Sequence, residues 1–286
     1  MSLAETHITI AGLGLMGGSL ALALRQKCAG VTAVDSDQTT LAFARRNKLV
    51  DFATGDFTEG VARADLLVLA TPVRTILAQI AQLAELSISQ SSLAILDLGS
   101  TKHQICAAMA ALPDHFDPIG GHPMCGKETP GIDNATSHMY ATATFVLSPL
   151  ECTTPATLGL AEELVKAIGA RSLLLAPAEH DELVAITSHL PYLVSSSLMA
   201  LAVENANGDE NLWSVTASGF RDTTRLAASD TRMMADIIET NRSAILAALR
   251  GEQALLARME ALLEEGDTGS LRNWLAEIRK ERMERV

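Results

Sequence analysis

Three groups of residues in this chain have the types and spacing to do chemistry. The first is Gly12-Leu13-Gly14-Leu15-Met16-Gly17, which follows the short apolar run 7–11 and leads into another apolar run. A G-x-G-x-x-G turn between a strand and a helix suits a dinucleotide. The first glycine permits the tight turn, the second lets the backbone approach a pyrophosphate, and the third lets the helix pack close on the strand. The helix start then offers free N–H groups to the phosphates. Asp35 stands 18 residues beyond Gly17, where a carboxylate accepts the adenosine ribose hydroxyls and repels a 2′-phosphate. Ser36-Asp37-Gln38 supply no arginine to reverse that preference, so the expected cofactor is NAD rather than NADP. The second group is a set of polar strand ends: Thr71-Pro72, Asp97-Leu98-Gly99-Ser100-Thr101-Lys102, and a glycine-rich stretch around His122. Ligands of doubly wound sheets sit at such strand ends, and a histidine there can titrate near neutrality and act as a general base. The third group is Ser188-His189-Leu190-Pro191 with Arg221 and Arg225. Two arginines four apart share a face if the segment is helical, and guanidinium forks bind carboxylates. Ion pairing with Asp222 and Asp230 is the plainer reading of those arginines. As local cations, His189, Arg221 and Arg225 suit a small dianion.

These residues need elements to position them. Segments 7–11, 31–34, 66–70, 93–96, 144–147 and 172–175 read as strands, most of them continuously apolar. Segments 18–25, 40–48, 73–86 and 156–168 read as helices between them. Alternation of this kind indicates a parallel sheet covered on both faces. From Ile119 to Thr142 the pattern breaks, and Gly120–Gly126 reads as an irregular loop over a site. Beyond Pro177 only helical patterns remain: 179–203, 212–219, 232–250, 252–264 and 270–284. The expected fold is therefore α/β, a Rossmann-type, doubly wound, mostly parallel sheet followed by an all-helical domain. The division falls at 1–177 for the dinucleotide-binding part and 178–286 for the helical part. Ile237, Ile238, Ile245, Leu246, Leu249, Leu256, Met259 and Leu263 recur at helical spacing, either as a dimer seam or as a core face within one subunit.

The 286 residues carry 22 basic and 34 acidic side chains, a net charge of −12, which excludes general attraction to nucleic acid or anionic membrane. Leu183–Val203 has no charged residue, but His189, Pro191 and three serines interrupt it, so it is expected to be a helix buried in a protein core rather than a membrane span. Cys28, Cys106, Cys125 and Cys152 show no C-x-x-C spacing, so neither a metal site nor a redox motif is expected, and the thiols are read as free in a cytoplasmic protein.

Taken in order, Gly12-x-Gly14-x-x-Gly17, Thr71-Pro72, Asp97-x-Gly99-Ser100-x-Lys102, Gly121-His122-Pro123-Met124-x-Gly126, Ser188-His189-Leu190-Pro191 and Ser218-Gly219-Phe220-Arg221-Asp222-Thr223-Thr224-Arg225 resemble the prephenate/arogenate dehydrogenase family of tyrosine biosynthesis. The resemblance spans essentially the whole chain. It implies oxidative decarboxylation with hydride passing to NAD, aromatisation of the ring, and a homodimer built by the helical half. It assigns the proton of the substrate's 4-hydroxyl to His122, with Ser100 holding that hydroxyl. It places Arg221 on a substrate carboxylate, with His189 lining the pocket. Cys125 stands where a small residue is expected, and Lys127 is expected to point to water. Asp222 or Glu128 would favour the ammonium of arogenate over the keto group of prephenate, and the sequence leaves that choice open. No additional catalytic or regulatory segment is recognised, so a monofunctional enzyme is expected. A β-hydroxyacid dehydrogenase, which shares the glycine turn and the helical half, is the alternative. It would need a catalytic lysine in the helical half, and there is no lysine between Lys166 and Lys280.

Overall fold

A computed structural model describes residues 2–86, 92–127, 129–208 and 210–285. The first half is built from β1 (His7–Ala11), α1 (Leu15–Leu24), β2 (Gly30–Val34), α2 (Gln38–Arg46), β3 (Phe52–Thr54), α3 (Phe57–Val61), β4 (Leu66–Leu69), α4 (Val73–Glu85), β5 (Leu93–Asp97), α5 (His103–Ala110), β6 (Phe116–Pro123), β7 (Thr144–Pro149), α6 (Pro155–Ala167) and β8 (Arg171–Leu174). The strands form one eight-stranded sheet in the order β3-β2-β1-β4-β5-β6-β7-β8. Every pairing is parallel except β6 with β7.

The sheet explains its own composition. Leu66, Val68, Ala94 and Leu96 pack in one core layer, while Leu67, Leu69, Leu93 and Ile95 pack in another on the opposite face. A strand covered on both faces has no polar side to show, so it reads as an unbroken apolar run.

One expectation fails in this half. The stretch 120–123 is no loop: it is the end of the eight-residue strand β6, paired from Ile119 to Pro123 with β7. Its glycines read as loop residues but are there for close approach. A Cβ on Gly121 would lie 2.6 Å from the Asp97 carbonyl oxygen, and one on Gly120 would lie 2.6 Å from the Cys106 sulfur. β3, α3 and α5 were also not expected, being short or weakly patterned.

The second half is all helix: α7 (Pro177–Val184), a π-helical turn (Ala185–His189), α8 (Leu190–Ala206), α9 (Asn211–Ser214), α10 (Ser218–Thr224), α11 (Thr231–Thr240), α12 (Arg242–Glu264) and α13 (Thr268–Arg285). The helix break expected near Gly251 falls instead at Asn241, which leaves the helical region with φ −120° and ψ 28°. The expected burial of 183–203 is also corrected. Leu183, Ile186, Leu201 and Val203 are each about half exposed on the single chain. The run Pro177–Ala206 is thus long and apolar with one side uncovered. Several of its large apolar side chains mark a surface, while the polar His180, Asp181, His189 and Ser195 are buried along with Val184, Ala185, Ala202 and Ala206.

Candidate active site

The glycine turn sits at the carboxyl end of β1, in the middle of the sheet. Gly12 has φ +98°, and a Cβ there would meet Thr71 Cγ2 at 2.7 Å. A Cβ on Gly17 would lie 1.8 Å from the Gly12 carbonyl oxygen, so only glycine allows this contact between α1 and the turn. Gly14, by contrast, is exposed with nothing within 4 Å of a built Cβ, and it caps α1 without any side-chain acceptor. Open space above undercapped N–H groups is what a pyrophosphate needs. Leu13 is buried, and Leu15 and Met16 are partly covered as α1 begins. Asp35 follows β2, and its carboxylate accepts the N–H of Leu13 at 2.7 Å and of Asp37 at 2.9 Å. These bonds aim the carboxylate across the turn while leaving lone pairs for ribose hydroxyls. The Thr71 hydroxyl donates to Gln79 at 2.9 Å, and Pro72 caps α4 on the exposed rim. The residues present fit NAD.

Ser100 and His122 lie on the same carboxyl edge, beyond β5 and at the end of β6, both half-buried. A fully buried carboxylate ties their segments together. Asp97 accepts the N–H of Gly121 at 3.0 Å and of Gly99 at 2.8 Å, and pairs closely with the Lys102 ammonium, itself fully buried. Burial pushes the Asp97 carboxyl up, and Lys102 and the two backbone N–H groups oppose that.

The His122 ring is held from the helical half. Its Nδ1 lies 2.8 Å from Nε2 of His180, whose Nδ1 lies 2.8 Å from Oδ1 of Asp181. Asp181 also accepts the backbone N–H groups of Lys102 at 2.7 Å and His103 at 2.9 Å, at the start of α5. His189 joins through Asn241, whose side-chain nitrogen reaches the Asp181 carbonyl at 2.7 Å and His189 Nδ1 at 3.2 Å. The Thr101 and Thr240 hydroxyls meet at 2.9 Å across the same junction. In an unbroken α-helix His180 and His189 would point to opposite faces, at about 100° per residue. The π turn between them takes up one extra residue and brings both to one side.

Both site histidines are poor cations here. Burial, reinforced by His180, Lys102 and His189, lowers His122 well below its ordinary value. Burial lowers His189 to about 4, against the pull of Asp181. His189 therefore presents a neutral ring, which corrects its expected role as a local positive charge. Arg221 and Arg225 sit on the surface of the helical half, outside this buried network. Arg221 is exposed and donates to the Thr216 carbonyl at 3.2 Å, and Arg225 is exposed in the turn after α10. Lys127 is exposed as expected, and Glu128 lies outside the described residues. Cys125 packs at the edge of the core, its thiol pushed up by burial to about 11, as befits a packing residue. The four cysteines are free, and no cluster of metal-ligating side chains occurs among the described residues.

His180, Asp181 and Asn241 are functional candidates that sequence reasoning missed. A lone Glu-His-Asp at a helix start carries no motif, and Asn241 hides inside a helical pattern. The only signal in reach was Asn241 itself, a poor helix former flanked by good helix in both directions.

Comparison with known proteins agrees with the geometry. Residues 20–174 match the family described as prephenate dehydrogenase, nucleotide-binding domain, and residues 176–277 match prephenate dehydrogenase, dimerization domain. The chain is 33% identical to the prephenate dehydrogenase of Bacillus subtilis over 253 residues, covering 86% of this chain and 67% of that protein. It superposes on the prephenate dehydrogenase of A. aeolicus, solved with hydroxyphenyl propionate and NAD+, with a TM-score of 0.91 at 26% identity, covering 99% of both chains. The arogenate dehydrogenase of Synechocystis gives a TM-score of 0.83 at 30% identity, covering 98% of this chain and 100% of that one. With matches running through both halves and a carboxyl-edge site to go with them, the chain belongs to the prephenate dehydrogenase family.

Proposed function

We propose that this chain is an NAD-dependent dehydrogenase that oxidatively decarboxylates prephenate or arogenate, working as a homodimer through its helical half. The observation that carries the reading is the common edge of the sheet. The glycine turn, Ser100 and His122 all leave the sheet at its carboxyl end, so a cofactor on the first lies beside a substrate on the other two. Gly12, Gly14 and Gly17 with Leu13, Leu15 and Met16 hold the pyrophosphate, Asp35 holds the ribose, and Thr71-Pro72 bounds the cradle. Bound there, NAD supplies the hydride acceptor.

The chain's own residues do the rest. His122 accepts the proton of the ring hydroxyl as that carbon is oxidised, and Ser100 holds the same oxygen. When the ring carboxylate leaves as CO₂, its bonding pair completes the aromatic ring, and His122 returns the proton to the phenolic oxygen. His189 lines the pocket. Arg221, with Arg225 near it, binds a carboxylate of the anionic substrate from the rim. A base must be neutral to act, and burial keeps His122 neutral across physiological pH.

The test is absorbance at 340 nm with prephenate and arogenate, each against NAD and NADP. Reduction of NAD is expected, and the ratio between the two substrates names the preferred one. His122→Asn is expected to lower kcat by about 10²- to 10⁴-fold while NAD affinity stays unchanged. Silence in all four combinations from protein that binds NAD would overturn the reading. So would full turnover by His122→Asn.

A further inference from the structure

We propose that His180 and Asp181 are positioning residues that fix the proton of His122 on Nδ1, leaving Nε2 as the lone pair that faces the substrate. This rests on the reading of His122 as the base. The inference follows from counting protons outward from Asp181. Its Oδ1 and Oδ2 accept backbone N–H groups from Lys102 and His103. Burial pushes this carboxyl up, but the bonds from His180, Lys102 and His103 prevail and hold it below its ordinary value. An ionised carboxylate can only accept, so His180 Nδ1, 2.8 Å from Oδ1, carries the hydrogen. In its neutral form an imidazole has one N–H, so with that hydrogen on Nδ1 the Nε2 of His180 is a lone pair. His122 Nδ1, 2.8 Å away, must then donate. Nε2 of His122 is left without a hydrogen, as a base requires.

The second histidine takes the opposite form by the same count. The Asn241 amide nitrogen is a donor, so His189 Nδ1 accepts it and His189 Nε2 carries the hydrogen. One ring of the pocket accepts and the other donates. The groups acting on His122 are His180 from α7, with Asp181 behind it, His189 from the π turn, and Lys102, neutralised by Asp97, from the loop after β5. When His122 takes the substrate proton, the positive ring keeps its Nδ1–H on His180, with the Asp181 charge one ring further on. No proton needs to travel along the chain of rings; the carboxylate orients and stabilises, as in hydrolase triads. Because His122 comes from the sheet and its support from α7, the base is competent only when the two halves are docked.

The direct test is ¹H–¹⁵N correlation of the imidazoles in the full-length protein, labelled with ¹⁵N-histidine, at a pH where the rings are neutral. The seven histidines are assigned by single His→Gln variants. The expected result is the Nδ1–H tautomer for His122 and His180 and the Nε2–H tautomer for His189. An Nε2–H tautomer at His122 would overturn the proposal. This reading needs no turnover, so it stands or falls separately from the assay of substrates. The kinetic test is Asp181→Asn, which removes the enforced acceptor and is expected to lower kcat by about 10²-fold or more, with KM for both substrates within about threefold. His180→Gln keeps an acceptor for His122 Nδ1 and is expected to lose less than His180→Leu. Equal losses in the two His180 variants, or an Asp181→Asn effect confined to KM, would reduce these residues to packing and overturn the proposal.

Discussion

Leu67, on β4, has none of its surface exposed, whereas Leu256, on α12, has 53%. The contrast extends to their surroundings. The four central strands are buried on both faces, while α8, α12 and α13 leave Leu201, Leu263 and Ile278 more than half exposed. Yet the helical half buries polar groups as thoroughly as any part of the molecule: His180, Asp181, His189, Ser195, Thr240 and Asn241 are all enclosed. The sheet half is thus closed by its own apolar packing except along its edge strand β8, where Leu173 and Leu174 are about half exposed. The helical half is joined to it by a polar network, and its apolar surface faces outward, where a second copy can cover it.

The largest effect should come from the sheet side of that junction. Asp97→Asn leaves the Lys102 ammonium buried without its counter-charge, which should cost about 3–5 kcal/mol in urea unfolding. A cost below about 1 kcal/mol would mean that the pair is dispensable and that packing alone holds the carboxyl edge.

Acid should act next, on the helical side. A buried histidine whose folded value lies below its ordinary 6.5 resists protonation, so the unfolded chain binds more protons as pH falls. Stability should be level above pH 6.5 and decline from there toward pH 4, by at most about 3 kcal/mol from His189. Unfolding measured across that range checks it, and His189→Gln should flatten the decline. A curve unchanged down to pH 4 would mean that the network opens to water and does not join the halves.

The smallest effect on a single chain should come from Leu256→Glu, within about 0.5 kcal/mol, because the side chain is already half in water. Its consequence should appear in assembly: sedimentation velocity should show the dimer giving way to monomer. A variant that stays dimeric would move the seam to another face and weaken the contrast between the halves.

How much of this was legible depended on whether a signal was local. The strands β1, β2, β4 and β5 and the glycine turn were readable because each writes its own pattern: apolar runs, then glycines whose missing side chains leave room. β6 was not, because Gly120 and Gly121 obey long-range packing against Cys106 and Asp97 and look locally like a loop. In the candidate site, the place of His122 and Ser100 on the carboxyl edge of the sheet was readable from their strand ends. His180 and Asp181 were not, because what matters is the partner each meets about 60 or 80 residues away in the chain. The sequence reading also treated His189 as a cation, since nothing local shows that burial outweighs the attraction of Asp181. The exposed stripe on the long apolar helix misled for a related reason: apolarity alone does not say whether the cover comes from the same chain.

The π turn between α7 and α8 carries a consequence for how this helix can vary in length. Ile186, Thr187 and Ser188 are exposed, so many substitutions there would cost little. Removing any one of them would let the helix run as regular α with its flanking turns still in register, because the π turn already absorbs one extra residue. His189 would stay on the side of Asn241, and Ser195 on the side of the Ala227 N–H it accepts at 2.9 Å, whereas one more inserted residue, with no second bulge to absorb it, would turn both away by about 100°. Between His180 and His189 the helix therefore carries one residue more than a regular helix needs, and a single deletion there should be borne more easily than an insertion.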